Sequence, residues 1–598
     1  LMIRRPPRST RKESSAASDV YKRQSSFHNT SAADQTWKQN RVVMPTVTAG
    51  QSNDSEQDSF HVLAGYQVEK LFDVPRDELG SWVSLTSDPQ GRLYACDQQE
   101  KGLVRITPAT LDGSTETVVE KVPAALSGAQ GLLWAFDSLY AVCNGSGFHG
   151  LFRLTDSDGD SLPDHVEKLH DIAPGGEHGA HNILLSPDGK RLFIICGNHT
   201  PLPFKTTNVT EPQTLAGLRP NQRRVTLDAN VTSRLPANWD EDQVIPRMWD
   251  GNGHATGKLA PGGYIVSTNP EGKSWEIWSA GYRNPYDFGF NADGEIFAYD
   301  ADMEWDFGMP WYRPTRVNHA TSGSELGWRS GTAKWPAAYP DSLPALVDIG
   351  PGSPVGAAFG YGAKIPAKYQ KAFYICDWTF GTMYAIHLTP SGSTYTAEKE
   401  EFVARNALPL TDMTIGKDGA IYFAVGGRGG QSELYRVTYT GKEPTHPVDA
   451  KNVIGTAERQ LRRQLETFHV PQKNPTAAVA LALKPLGHPD RFIRYAARIA
   501  LEHQLVDTWQ TKALASSDSV ARINGAIAVA RQTEQSAQPA VLAALDAIDV
   551  KSLNKDTLLD LVRAYELVLV RLGPPTADQK QQLAKKFMPL FPAETTMN

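Results

Sequence analysis

A short unit recurs along this chain, and it constrains the fold more than any other feature. Each copy is a turn carrying Asp or Gly, followed by an apolar strand that ends in Cys, Gly or Asp. The six copies begin at Asp88, Asp137, Ser186, Asn291, Tyr369 and Lys417. The shortest spacing matches the about 40 to 50 residues of one four-stranded propeller blade, and longer spacings accommodate insertions. The sequence therefore predicts an all-β six-bladed propeller over residues 61–441.

The character of the sequence changes after the last copy. Residues 442–455 form a Pro-containing linker, and Ala and Leu dominate from there to the C-terminus, while Gly and Pro become sparse. Asp518 and Arg522 repeat the placement of Asp490 and Arg494 at the start of two apolar helical segments. We therefore expect an all-α HEAT-like domain over 456–598, which the chain end truncates, with an irregular helical bundle as the alternative.

The N-terminal residues do not look like part of the propeller. Residues 1–24 are basic and Ser-rich without an apolar core, so they do not form a secretory signal peptide. They resemble a translated cloning adaptor, which predicts a foreign leader and a missing native N-terminus. Residues 25–60 are polar and predict a disordered tether.

Composition excludes several functional classes. The formal net charge of -6 gives no attraction to nucleic acid or anionic membranes. No apolar stretch approaches the about 20 residues that a membrane span requires. The sequence has no CxxCH motif for covalent haem, and each of its four cysteines closes an apolar run, which favours buried hydrophobic side chains over a redox role.

A row of acidic residues follows one copy of the repeat. Arg283 and Asn284 precede the apolar run Ile296 to Tyr299, and alternating carboxylates come after it: Asp300, Asp302, Glu304 and Asp306. In an extended chain these carboxylates point to one side. A cation at Asp300 and Asp302 would relieve their repulsion, and a solvated loop is the alternative.

Aromatic residues lie close to this acidic row in the sequence. They are Trp305, Trp311, Tyr312, Trp328 and Trp335. Flat rings beside carboxylates suit a carbohydrate, whose hydroxyl groups hydrogen-bond to acids while its CH faces stack on the rings. Packing between propeller blades is the alternative.

The segment DSDGDSLPDHVE has the spacing of a calcium-binding loop. Its acidic residues at loop positions 1, 3, 5, 9 and 12 are Asp156, Asp158, Asp160, Asp164 and Glu167. Ser161 stands where an EF-hand has Gly, and neither flank predicts a helix. We therefore expect an isolated Asp-rich Ca²⁺ loop, with a solvated acidic turn as the alternative.

Two histidines, His178 and His181, lie in a Gly-rich segment just before a predicted strand. Imidazole groups there are suited to general-base chemistry near neutral pH or to metal binding. No third ligand follows at a spacing diagnostic of zinc. His199 and His254 are further candidates.

The run His178 to Gly189 and the segment GYRNPYDFGF resemble the HxxG...GPDG and GHRNPQGLAF segments of soluble quinoprotein glucose and sorbosone dehydrogenases. That family consists of six-bladed propellers that use pyrroloquinoline quinone (PQQ) and Ca²⁺. The resemblance implies that His178 is the base that takes a proton from a sugar hydroxyl. It also implies that Arg283 and Asn284 contact the cofactor.

The resemblance does not extend to three cations of that family. Its quinone-binding Lys falls near Thr379 or Phe380, and its later pair of arginines falls near Leu408 and Leu410, and none of these residues is basic. An anionic tricarboxylate needs several cations, so PQQ binding is in question. Arg428 is one candidate for compensation, and Arg313 with Arg316 are others.

Other segments resemble the membrane-bound dehydrogenase family of planctomycete-type bacteria. They include GSWVSLTSDPQGRL, GGEHGAHNILLSPDGK, DADMEWDFGMPWYRPTR and DIGPGSPVGAAFGYG. In that family HEAT-like helices and a cytochrome c domain often follow the propeller. The resemblance implies a periplasmic or extracellular oxidoreductase whose electron acceptor is a cytochrome c.

Three functional hypotheses follow. The first is PQQ- and Ca²⁺-dependent oxidation of a sugar or alcohol, with His178 as the base. The second is a non-catalytic propeller that binds carbohydrate or protein, with a helical domain that docks a partner. The third is a Ca²⁺-dependent lactonase-type hydrolase. Because Arg283 and the acidic row lie at the two ends of one stretch, we expect them to open on different faces.

Overall fold

The fold of the chain is given by a computed structural model. It describes residues 59–590 apart from 146, 204–205, 209–224, 228–229, 237, 243–254, 256–257, 302–312 and 330–332. The predicted leader lies outside the described residues, and so does the predicted tether up to residue 58. The predicted domain boundaries therefore stay predictions.

Two strands, β1 (His61–Val62) and β2 (Tyr66–Asp73), and a short helix, α1 (Arg76–Leu79), precede the first inner strand. Blade 1 contains β3 (Trp82–Ser87), β4 (Leu93–Asp97), β5 (Leu103–Thr107) and β6 (Val118–Lys121). Blade 2 contains β7 (Ala129–Ala135), β8 (Ser138–Asn144), β9 (His149–Thr155) and β10 (His165–His170). Each of these sheets is antiparallel, as sequential hairpins require.

Blade 3 carries an insertion. Its first strands are β11 (Ala180–Leu185) and β12 (Leu192–Cys196). The insertion contributes β13 (Thr206–Asn208), β14 (Val225–Leu227) and β15 (Val231–Ser233). The blade ends with β16 (Gly263–Thr268) and β17 (Trp275–Tyr282). Strands β13 and β14 pair with each other, whereas β15 adds to the outer edge of the blade, parallel to β17. Most of residues 200–260, which belong to this insertion, lie outside the described residues.

Blade 4 carries a second insertion. Its strands are β18 (Asp287–Phe290), β19 (Ile296–Asp300), β20 (Thr315–His319) and, after the inserted hairpin β21 (Trp328–Arg329) and β22 (Ala333–Lys334), β23 (Val347–Gly350). Blade 5 contains β24 (Pro354–Phe359), the short helix α2 (Ala367–Gln370), β25 (Phe373–Asp377), β26 (Thr382–Ser391) and β27 (Thr394–Ala404). Blade 6 contains β28 (Leu410–Ile415), β29 (Ile421–Val425) and β30 (Glu433–Tyr439).

The N-terminal strands close the ring. Strand β2 pairs with β30 as the fourth strand of blade 6, and β1 adds to the edge of blade 5. The first strand of each blade packs against the first strands of the two neighbouring blades, so these six inner strands surround a central channel. The predicted six-bladed propeller is thus confirmed. Each recurring apolar run is the second strand of its blade, and the four cysteines in these runs are buried.

The two ends of the channel differ in the segments that form them. One end carries the tight turns between the first and second strands, such as Asp88–Gly91, and we name it the turn face. The other end carries the residues that follow each second strand and the loops that lead into each inner strand. We name it the loop face.

The region after the propeller is helical. Its α-helices are α3 (Thr456–Glu466), α4 (Thr476–Leu483), α5 (Arg491–Glu502), α6 (Gln510–Leu514), α7 (Ser519–Gln532), α8 (Gln538–Asp546), α9 (Lys555–Arg571) and α10 (Ala577–Phe587). Short 3₁₀ turns connect several of them. No helix in the described part of the chain is both long and apolar enough to cross a bilayer.

The repeated placement of Asp and Arg in two helical segments reflects a repeated helix start. The Asp490 carboxylate accepts the backbone N–H of Phe492 at 2.9 Å, and the Asp518 carboxylate accepts that of Ala521 at 2.7 Å. Arg494 and Arg522 each donate to a carbonyl six residues earlier, at 2.6 and 2.7 Å. Both helices therefore begin with the same cap. A HEAT-like array stays a prediction, because two equivalent helix starts do not define one.

Buried ion pairs fasten the helices to the propeller. Arg563 contacts both carboxylate oxygens of Asp341 at 3.0 and 2.9 Å. Glu295, in the first turn of blade 4, pairs with Arg462 at 2.6 Å. These charges are almost inaccessible to solvent, and breaking such a pair costs about 3 to 5 kcal/mol because it leaves a buried charge uncompensated. The contact with Glu295 lies on the turn face.

Candidate functional site at the loop face

His178 lies in a 3₁₀ turn, Gly176–His178, that leads into the inner strand of blade 3. The side chain is 4% exposed, and its Nδ1 lies 2.6 Å from Oδ1 of Asn198. Asn198 is held in turn, because its backbone N–H donates to the carbonyl of Arg283 at 2.8 Å. An amide oxygen only accepts hydrogen bonds, so Nδ1 carries the proton and Nε2 is the basic nitrogen of the neutral ring.

His181 has a different role from His178. Its Nε2 lies 2.8 Å from Oδ1 of Asn284, and its ring stacks on Tyr286 with 4.2 Å between ring centroids. Burial lowers the pKa of His181 to about 4, so the ring is neutral at physiological pH. Asn284 also donates from Nδ2 to the carbonyl of Glu177 at 3.1 Å. His181 and Asn284 therefore fix the loop that carries His178.

Arg283 and Asn284 are ordered by Asp300. The Oδ1 atom of Asp300 accepts the backbone N–H groups of Arg283 at 3.1 Å and of Asn284 at 3.0 Å. The expectation that these residues and Asp300 open on different faces is wrong. Strands β18 and β19 form a hairpin, so the residues before the first strand meet the end of the second.

Asp300 is a structural cap rather than an open carboxylate. It is inaccessible to solvent, and its Oδ2 lies 3.4 Å from Nζ of Lys334 and 3.7 Å from Nε of Arg316. These two cations already compensate its charge. Asp302, the other residue of the predicted second metal site, lies outside the described residues, so that site stays a prediction.

The predicted calcium loop connects the two outer strands of blade 2. Single carboxylate oxygens of Asp156, Asp158 and Asp160 lie within 4.8 Å of one another, and all three residues are exposed. Ser161 has a φ of 72°, the left-handed conformation for which an EF-hand uses Gly. The structure thus brings three of the five predicted ligands together.

The other two predicted ligands have separate partners. Asp164 accepts the backbone N–H of Ser157 at 2.7 Å, and Glu167 pairs across the sheet with Arg153 at 2.5 Å. Arg92, in the first turn of blade 1, donates to the hydroxyl of Ser161 at 3.0 Å, which places this loop at the turn face. A Ca²⁺ ion there would lie at the opposite end of the channel from His178.

A second group of loop-face residues surrounds Arg428, which the sequence analysis considered only as a compensating cation for PQQ. Arg428 follows the second strand of blade 6, and its Nη2 lies 3.5 Å from Oε2 of Glu177. The guanidinium lies over the ring of Trp378, 5.2 Å from its centroid, and the backbone N–H of Arg428 donates to Oε1 of Gln98 at 2.5 Å. We name these four residues with His178 the mouth cluster. The signal that could have found it is position, since Gln98, Trp378 and Arg428 each follow closely after a repeated second strand.

Buried carboxylates inside the channel connect inner strands. Asp287 accepts the backbone N–H of Ala357 at 2.5 Å, and Asp412 accepts that of Leu85 at 2.6 Å. Burial raises the pKa of Asp287 to about 7 and also raises the pKa of Asp412. Among the described residues, no group of three or more acidic, His or Cys ligands converges in the channel. The lactonase hypothesis therefore gains no metal site here and stays a prediction.

Asp377 provides a test of cofactor fit. Its Oδ1 accepts the backbone N–H groups of Thr379 at 2.8 Å and Phe380 at 2.9 Å, where the resemblance would require a cation. Its Oδ2 has no hydrogen-bond partner among the described residues, and burial raises the pKa of Asp377 to about 7. This corner of the mouth repels an anion once Asp377 ionises. The residues present do not fit a tricarboxylate quinone.

The compensating cations are only partly at the mouth. Arg428 belongs to the mouth cluster, but Arg316 is buried beside Asp300 and donates to the carbonyl of Leu326 at 2.6 Å. Arg313 lies in a β-bridge just before the third strand of blade 4. Cysteine chemistry does not contribute, because burial raises the thiol pKa of Cys96 and of Cys196 to about 12.

The predicted aromatic platform for a sugar is not found at the described positions. Trp328 is fully buried, and Trp335 packs beneath the guanidinium groups of Arg329 and Arg563 at 4.1 and 4.9 Å. Both therefore serve packing, the alternative interpretation. Trp305, Trp311 and Tyr312 lie outside the described residues, as does His254, whereas the ring of His199 lies 4.4 Å from that of His178.

Comparison with known proteins adds a likeness of overall structure. Neither a family model nor a curated protein sequence matches this chain. The PQQ-bound form of an aldose sugar dehydrogenase from Streptomyces coelicolor is 16% identical over 63% of this chain and 100% of that chain, with a TM-score of 0.38. The holo form of the pyranose dehydrogenase PQQ domain from Coprinopsis cinerea is 11% identical over 64% and 98%, with a TM-score of 0.41.

A third similar structure is the calcium structure of a carbohydrate-active enzyme of family AA12 from Trichoderma reesei. It is 11% identical over 65% of this chain and 99% of that chain, with a TM-score of 0.43. Identities and scores at this level do not transfer a ligand or a residue role. The chemistry of the loop face must therefore be argued from its own side chains.

Proposed function

We propose that the protein binds a carbohydrate at the loop-face mouth of the channel and that His178 accepts a proton from a hydroxyl group of that ligand. The observation that carries this proposal is the hydrogen bond between His178 Nδ1 and Asn198 Oδ1 at 2.6 Å. It fixes the tautomer in which Nε2 is basic. A histidine that acts as a general base needs such an orienting partner, whereas a histidine that only contacts a ligand does not.

The rest of the mouth cluster suits a polyhydroxylated ligand. Glu177 and Gln98 offer acceptors, Arg428 offers donors, and Trp378 offers an aromatic ring. Sugar recognition commonly combines such polar groups with ring stacking. Glu177 directly precedes His178 in sequence, so hydroxyl binding and proton acceptance are adjacent functions.

Sugar oxidation with PQQ and Ca²⁺ is the second candidate function. The oriented base favours it, while the uncompensated Asp377 carboxylate opposes an anionic tricarboxylate. We therefore derive no step through a quinone. A cytochrome c acceptor, a protein partner on the helices and a periplasmic or extracellular location stay predictions.

Calorimetric titration with a panel of aldoses, uronic acids and polyols tests the proposal. We expect wild-type protein to bind at least one of them. His178→Asn should bind with similar affinity, because asparagine keeps a polar side chain at this position and removes only the basic nitrogen. His165→Asn, on the exposed outer strand of blade 2, is the matched control. If no member of the panel binds, the proposed function is wrong.

A second measurement isolates the proton-accepting role. With added PQQ and Ca²⁺, any dye reduction should fall by about 100-fold or more in His178→Asn, the usual loss for a general base. Asn198→Ala should reduce the rate and alter its pH profile, because Nδ1 loses its acceptor. If the protein binds sugar but reduces no dye, the binding function stands and PQQ-dependent sugar oxidation is excluded.

A further inference from the structure

We propose that the ligand of the mouth carries a carboxylate, as a uronic acid does, and that Arg428 binds this carboxylate in place of Glu177. The inference rests on the proposed function and names the substrate class of the same site. It begins from Arg428, which the sequence analysis named as a candidate cation for PQQ and not as a residue that binds substrate.

Arg428 is presented in an unusual backbone conformation. It lies in the segment GGRGG with a φ of 52°, a left-handed value that non-glycine residues rarely adopt. The Trp378 indole N–H donates to the carbonyl of Gly426 at 2.8 Å, and Gln98 accepts the N–H of Arg428. Strained residues that several neighbours hold in place occur preferentially at binding sites. Blades 1, 5 and 6 all contribute to holding this side chain.

The partner of Arg428 is easily exchanged. The Nη2 atom of Arg428 lies 3.5 Å from Oε2 of Glu177, and the two side chains are 43% and 39% exposed. A long, solvent-exposed ion pair contributes little to stability. A ligand carboxylate that made two parallel hydrogen bonds to the guanidinium would have the better geometry. Glu177 thus occupies the position that a ligand carboxylate would take.

The location of this pair places the carboxylate near the base. Glu177 belongs to the loop that enters blade 3, whereas Arg428 follows the second strand of blade 6, on the opposite side of the ring. The pair therefore reaches across the channel mouth. Because His178 follows Glu177, a sugar bound to Arg428 through its carboxylate presents its hydroxyl groups on the side of His178.

The charges of the mouth favour one carboxylate over several. A Cβ atom at Gly429 would lie 3.6 Å from Nη2 of Arg76, so a second guanidinium lies beside the Arg428 turn. Asp377 contributes negative charge on the blade 5 side when it ionises. A monoanion gains from the two guanidinium groups, while a more extended anion also meets the Asp377 carboxylate.

Calorimetry with glucuronate, its methyl ester and glucose tests this inference. We expect wild-type protein to bind glucuronate about tenfold more tightly than the ester, a difference of about 1.4 kcal/mol. Arg428→Gln should remove this preference, so that glucuronate binds no more tightly than its ester. Glu177→Gln should strengthen glucuronate binding severalfold, because the competing carboxylate is gone. Lys101→Gln, an exposed lysine on the same face, is the matched charge control.

A second variant separates charge from backbone strain. Asn tolerates left-handed φ values, so Arg428→Asn should fold at least as stably as wild type yet lose the preference for glucuronate. Equal affinities for glucuronate and the ester in the wild-type protein would overturn the inference and leave the proposed function intact. If none of the three probes and no other panel sugar binds, both fail together.

Discussion

Two aspartates occupy equivalent positions in neighbouring blades and have opposite electrostatic surroundings. Asp300 ends the second strand of blade 4, and Asp377 ends the second strand of blade 5. Each uses one carboxylate oxygen to accept backbone N–H groups of its own loop and of the loop that enters the blade. The other oxygen of Asp300 faces Arg316 and Lys334, whereas no salt bridge to Asp377 occurs among the described residues.

The difference shows that the same aspartate cap can have two electrostatic roles. The cap organises the loop in both blades, and Asp97 in blade 1 does the same by accepting the N–H of Ser81 at 2.6 Å. In blade 4 the added cations neutralise the cap and leave Arg283 and Asn284 ordered beside the site. In blade 5 the cap stays an uncompensated buried acid, which sets the charge of that side of the mouth.

The largest expected effect comes from removing the charge of Asp300. Asp300→Asn leaves Lys334 and Arg316 buried without their carboxylate, and we expect the free energy of unfolding to fall by about 3 to 5 kcal/mol. Urea denaturation at neutral pH measures the change. The double variant Asp300→Asn with Lys334→Met should recover part of the loss, because one uncompensated charge is removed. A loss below about 1 kcal/mol in the single variant would contradict the assigned ion pairing.

The same substitution in blade 5 should have the opposite sign. The folded-state pKa of Asp377 is about 7, against 3.8 for an ordinary aspartate, so folding favours its protonated form. Its stabilising contribution is complete below pH 3.8 and is lost as the pH rises toward 7.

Asp377→Asn cannot ionise and should avoid that loss. We expect it to match wild type near pH 4 and to be more stable by roughly 2 kcal/mol at pH 8. Each unit of pKa shift corresponds to about 1.4 kcal/mol, and relaxation of the structure around the ionised carboxylate reduces the total. Thermal unfolding across this pH range measures the difference. A variant that is destabilised equally at both pH values would show that Asp377 has a cationic partner after all.

The missing cation of blade 5 can be restored. Thr379→Lys places an ammonium group close to Asp377, since the Thr379 N–H already donates to its Oδ1 at 2.8 Å. We expect the pKa of Asp377 to fall and the affinity for added PQQ to rise about tenfold, or about 1.4 kcal/mol. Fluorescence titration with PQQ measures it, with Thr394→Lys in blade 5 as the control. Unchanged affinity would mean that charge is not what excludes the quinone.

The sequence predicted the propeller because its signal is repeated. Six apolar strands with the same turn chemistry specify six blades, and Cys96 and Cys376 lie just before the end of equivalent strands in two of them. Asp300 and Asp377 look alike in such a pattern. What distinguishes them is Lys334, which comes from an insertion and reaches Asp300 only in the folded chain.

The candidate site was predictable in part for the same reason. His178 and Arg283 fall in recognisable segments, but the hydrogen bond from His178 to Asn198 joins loops on either side of a hairpin, and no linear spacing reports it. The hairpin also explains why Arg283 and Asp300 meet when the sequence order suggested two separate ends. Arg428 was predicted only as a compensating cation for PQQ, and its pairing with Glu177 was missed because Glu177 lies across the ring.

The smallest expected effect concerns what the blade 4 cap holds in place. Asn284→Ala removes the side chain that accepts from His181 and donates to the Glu177 carbonyl, while Asp300 still caps the backbone. We expect a stability loss of about 1 kcal/mol, typical of a buried hydrogen bond. Sugar affinity should fall by only a few fold, because the loop bearing His178 loosens without losing a ligand contact. Asn284→Asp, the control, should keep the hydrogen bond to His181. If Asn284→Ala binds no sugar at all, Asn284 contacts the ligand directly and the prediction is wrong.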